Sequence, residues 1–66
     1  METEPFNPKL HKFLILKGYL YREKVRYDRY DKGDMTIFYY PNNYIMILEG
    51  GEPARKEVAR EIMEAL

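Results

Sequence analysis

Sixty-six residues, 45% of them hydrophobic and 33% charged, describe one small folding unit near the lower limit at which a hydrophobic core holds without staples. The absence of cysteine excludes disulfides and thiolate metal sites, so the support left to such a domain is a partner chain. Eleven basic and eleven acidic residues cancel, so no overall field draws the chain to phosphate backbones or anionic lipid. No apolar run approaches the roughly 20 residues that span a bilayer, and Met1 to Pro5 is acidic where a signal peptide is basic; the expectation is a cytoplasmic protein with no membrane association.

Residues 1–6 carry two glutamates and a proline and read as a flexible tail, leaving 7–66 as a single domain. Asn7-Pro8 is a helix start: the Asn side chain accepts from an orphan N–H, and proline at the first helical position lacks the N–H that would go unbonded. The helix is predicted over Pro8 to Lys17, with Leu10, Phe13, Leu14 and Lys17 on one side and Ile15 and Leu16 widening the apolar stripe. Gly18 stops it.

From Tyr19 to Tyr30 the odd positions Tyr19, Tyr21, Val25 and Tyr27 are apolar, while Arg22, Lys24 and Arg26 make a basic row, a period of two that predicts one strand. Asp31-Lys32-Gly33-Asp34 supplies a tight turn, and the uncharged run Met35 to Tyr40 is predicted as the central strand. Pro41-Asn42-Asn43 is a second turn, followed by a strand over Tyr44 to Glu49. Gly50-Gly51 then makes a strand-to-helix corner, and Glu52-Pro53 opens a second helix with Ala54, Val58, Ile62 and Ala65 or Leu66 inward. The fold class is therefore α+β, ordered α-β-β-β-α, with a three-stranded antiparallel meander and two helices.

With two-residue loops, Val25, Tyr27, Phe38, Tyr40, Ile45 and Ile47 share one sheet face, and Met35, Ile37, Tyr39, Met46 and Leu48 share the other. Both faces are apolar, and helices packed on one side would leave the other larger than monomers usually expose. The expected interaction surface is Arg22, Lys24, Arg26, Tyr30, Met35, Ile37, Tyr39, Met46 and Leu48.

Chemistry finds little footing. His11, the single histidine, is expected on the surface of the first helix with no acid or nucleophile at catalytic spacing, and no catalytic, cofactor or metal site is assigned. Asp28, Asp31 and Asp34 lack the alternation of a calcium loop and are expected to shape the hairpin turn. Gly50-Gly51 is followed by Glu52 and Pro53, which spoil a phosphate cradle.

The order of elements, together with Ala54-Arg55-Lys56-Glu57-Val58, resembles the double-stranded-RNA-binding domain and the basic start of its second helix. Leu14 to Tyr19, with Lys17-Gly18-Tyr19, is similar to the end of the first helix in the HicA type of mRNA-cleaving toxin. That family carries its catalytic histidine on the sheet; with no histidine between Gly18 and Leu66, the resemblance implies a related shape without cleavage. The expectation is a non-catalytic interaction protein of the small phage, plasmid or regulatory kind. Its partner is a second copy or a protein target bound through the apolar and basic sheet face. The alternative is an RNA or single-stranded nucleic-acid-binding module using Arg22, Lys24, Arg26 and nearby tyrosines.

Overall fold

The computed structural model describes residues 4–66. Two helices, α1 (Pro8–Leu16) and α2 (Lys56–Met63), flank a five-stranded antiparallel meander of β1 (Leu20–Glu23), β2 (Asp28–Lys32), β3 (Met35–Tyr40), β4 (Tyr44–Glu49) and β5 (Glu52–Pro53), in the order β1-β2-β3-β4-β5. The α+β class and the helix, sheet, helix order are as the sequence predicts, but the sheet has five strands rather than three.

Helix α1 is bounded as its termini dictate. The Asn7 side chain accepts from the Leu10 N–H at 3.0 Å, and Pro8 occupies the first turn. At the other end the Tyr19 N–H donates to the Leu14 carbonyl at 3.0 Å and the Gly18 N–H to that of Ile15 at 3.0 Å. This closing motif needs a left-handed residue, which Gly18 supplies at φ +97. Lys32 adds a third cap, its Nζ donating to the Lys17 carbonyl at 2.6 Å.

The expected strand over 19–30 is two strands. Glu23 pairs with Asp28, so residues 24–27 form the connection and Lys24 and Arg26 leave the sheet. The connection contains no Gly, Pro, Asn or Asp, so nothing in it announces a turn. The expected start of the second helix also moves: Glu49 pairs with Glu52 across Gly50 and Gly51, at φ +62 and +81. Two consecutive positive values are the signature of a type I′ hairpin, so Glu52-Pro53 becomes a short edge strand and α2 begins at Lys56.

Between β3 and β4 the loop is Pro41-Asn42-Asn43, with Tyr40 paired to Tyr44 and Asn43 at φ +66. Three residues instead of two reverse the phase of β4 relative to the expectation. Ile45 and Ile47 stand beside Tyr39 and Ile37, while Met46 and Leu48 stand beside Phe38 and Thr36.

Both helices pack on the face that carries Ile37 and Tyr39. The core there is Leu10 and Leu14 from α1, Tyr19, Tyr30 from β2, Ile37 and Tyr39 from β3, and Ile62 and Ala65 at the C-terminal end. Spacings of four, Leu10 to Leu14 and Val58 to Ile62, put one residue per turn against the sheet. The α1 stripe is narrower than expected, because Leu16 is 79% exposed. A Lys17 to Glu61 ion pair at 3.5 Å joins the two helices.

Candidate functional site

The sheet presents two faces of different character, fixed by the cross-strand rows. On the covered face one row is Tyr21, Tyr30, Ile37 and Ile47, and the next is Glu23, Asp28, Tyr39 and Ile45. On the open face the rows are Leu20, Asp31, Thr36, Leu48 and Pro53, then Arg22, Arg29, Phe38 and Met46, then Tyr40 and Tyr44.

Tyr30, Ile37 and Tyr39, expected on the interaction surface, are therefore core residues at 1%, 0% and 5% exposure, and Met35 packs against them. The cause is that the helices chose their face. Of the other expected residues, Arg22, Met46 and Leu48 lie on the open face, while exposed Lys24 and Arg26 flank it in the β1–β2 connection.

The open face is lined with rings. Tyr27 lies 5.5 Å from Phe38 and 5.2 Å from Tyr40, and Tyr40 lies 5.6 Å from Tyr44, centroid to centroid. On this face Leu20, Tyr44 and Met46 are 68%, 53% and 38% exposed. The guanidinium of Arg29 sits 5.5 Å above the Phe38 ring.

Arg29 is also committed electrostatically. Its Nε and Nη2 donate to the two Asp31 oxygens at 3.0 and 3.2 Å, and Arg22 Nε lies 3.8 Å from the same carboxylate. Thr36 Oγ1 donates to Asp31 as well, at 3.2 Å. The hydrogen bond from Arg29, with help from Thr36, holds the Asp31 carboxyl below its usual range. One carboxylate thus faces two cations, and Arg22, Arg29 and Asp31 together leave one net positive charge on the open face. Arg29 was the face residue that the sequence pattern concealed, because it falls after the unmarked connection and out of phase with the basic row.

The covered face holds a second polar cluster. His11, expected on the helix surface, is half-buried, with Nδ1 2.9 Å from the Tyr30 hydroxyl and its ring edge-on to Tyr21 at 4.7 Å. Asp28, 2% exposed, accepts from the Tyr21 hydroxyl at 3.0 Å and from the Phe6 N–H at 2.8 Å. Phe6, placed in the expected tail, is thereby tied to the sheet, while residues 1–3 of that tail lie outside the described residues. Burial and the bond to Asp28 push the Tyr21 hydroxyl up to about 12, and burial raises Tyr30 further. Of the three aspartates expected at the hairpin, only Asp34 sits in the turn.

Neither cluster lines either of two hollows on the helix side of the molecule. One is a hollow of about 440 Å³ lined by α2 and its C-cap, and the other a groove of about 270 Å³ lined by Lys9, Phe13, Glu61, Glu64 and Ala65. Among the described residues no three His, Cys, Asp or Glu side chains gather in a metal-binding arrangement, and no helix is long and apolar enough to cross a membrane. Protein-family models, curated proteins and solved structures give no match to this chain.

Proposed function

We propose that this protein is a non-catalytic interaction module that takes a macromolecular partner on its open sheet face. The observation that carries the reading is the placement of both helices on one side of the sheet, with Leu20, Tyr27, Phe38, Tyr40, Tyr44, Met46 and Leu48 left on the other. Large apolar side chains exposed together on one face of a small domain mark an interaction site. Its aromatic, Met and Arg content, with charge confined to one side, matches the make-up of protein interface cores.

Support for a non-catalytic role comes from the commitments of the ionisable groups. His11 is engaged by Tyr30, Asp28 by Tyr21 and Phe6, and Asp31 by Arg29, each within the fold and none lining either hollow. Catalysis requires a nucleophile, base and substrate position that converge.

A capture experiment tests the reading. Wild-type protein, Met46→Glu on the open face and Arg60→Glu on α2 are immobilised in turn and exposed to an extract of the producing cells. Partners retained by the wild type and by Arg60→Glu but lost with Met46→Glu are the expected result. Identical retention and identical oligomeric state in all three would end the proposal, as would reproducible RNA cleavage by the purified protein that a point mutation abolishes.

A further inference from the structure

We draw no further inference here: the strongest candidate, the apolar sheet face opposite the helices with Phe38, Tyr40, Met46 and Leu48, is the binding surface already described, and nothing in the structure shows what covers it.

Discussion

The Tyr30 hydroxyl lies 2.9 Å from Nδ1 of His11, a hydrogen bond that joins the middle of the sheet to the first helix. Tyr30 is 1% exposed, and its ring packs 5.7 Å from that of His11 and 5.2 Å from that of Tyr21, centroid to centroid, so the contact is shielded from solvent. Tyr30→Phe keeps the ring and removes only the bond, and should cost about 1 kcal/mol, rising toward about 2 kcal/mol if the imidazole nitrogen stays dry. Denaturant melts of wild type and variant measure this directly. A midpoint unchanged by the substitution would mean the hydroxyl and imidazole do not interact in solution.

Alkali should unfold the protein through the same cluster. Burial, then the hydrogen bond to Asp28, raise Tyr21 to about 12, so the folded state keeps its proton while an unfolded chain releases it near 10. The folded state therefore holds more protons across that interval, and stability falls as pH rises from about 10 to about 12; below 10 the contribution is fully present. Denaturant midpoints taken along this range should decline, and Tyr21→Phe should flatten the decline. Equal slopes in the two proteins would count against the buried hydroxyl.

Much of this architecture is legible in the letters. Asn7-Pro8, Gly18 and the spacing of Leu10 and Leu14 define α1, and the uncharged run Met35 to Tyr40 marks the central strand. What escapes is governed by single residues of loop length. The connection at 24–27 has no turn-forming residue, so two strands read as one, and Arg29 was missed on the open face. The third residue of the 41–43 loop exchanges Met46 and Leu48 with Ile45 and Ile47. A period-two pattern in which both phases are apolar gives no internal clue to which phase the helices will cover. The buried polar cluster was hidden for a different reason: His11 and Asp28 are seventeen positions apart, and only the packing of α1 onto the sheet brings their tyrosine partners together.

Position along α1 should separate sharply in effect. Leu14 is 0% exposed and Leu16 is 79% exposed, although both are leucines in the same two turns. Leu14→Ala removes buried methylenes and leaves a void, at a cost of about 2–5 kcal/mol. A domain of this length has roughly 3–10 kcal/mol in total, so the variant should be largely unfolded or melt far below the wild type. Leu16→Ala should move the midpoint by no more than about 0.5 kcal/mol. Similar losses at the two positions would mean that the helix packs through a different face.

Asp28 is predicted to tether the segment before α1. Its carboxylate accepts from the Phe6 N–H and from the Tyr21 hydroxyl, so Asp28→Ala orphans one donor on each side of the fold. The loss should be about 2 kcal/mol, with Asp28→Asn milder because one carbonyl oxygen remains to accept. Amide exchange distinguishes a tether from a general loss of stability. Phe6 should exchange faster in Asp28→Ala by a larger factor than the amides of β3, whereas uniform acceleration would show that Asp28 only supports the sheet.

Asp31 should be the residue that keeps the open face from behaving as a phosphate-binding surface. It is held ionised by the Arg29 hydrogen bond, with its carboxyl below the ordinary range, so its contribution to stability is present above the unfolded value and fades only as pH drops through the lowered one. Asp31→Asn releases Arg29 and Arg22 beside the rings of Phe38 and Tyr40 while costing no more than about 1 kcal/mol of stability, the usual worth of such pairs near a surface. Binding of a labelled single-stranded oligonucleotide at low salt should then emerge or strengthen severalfold relative to wild type. The dependence of log affinity on log salt should steepen by about 1.4, two new phosphate contacts at roughly 0.7 each. Were wild type and Asp31→Asn to bind with the same slope, the arginines would already be available to phosphate, and the argument that Asp31 keeps them from it would fail.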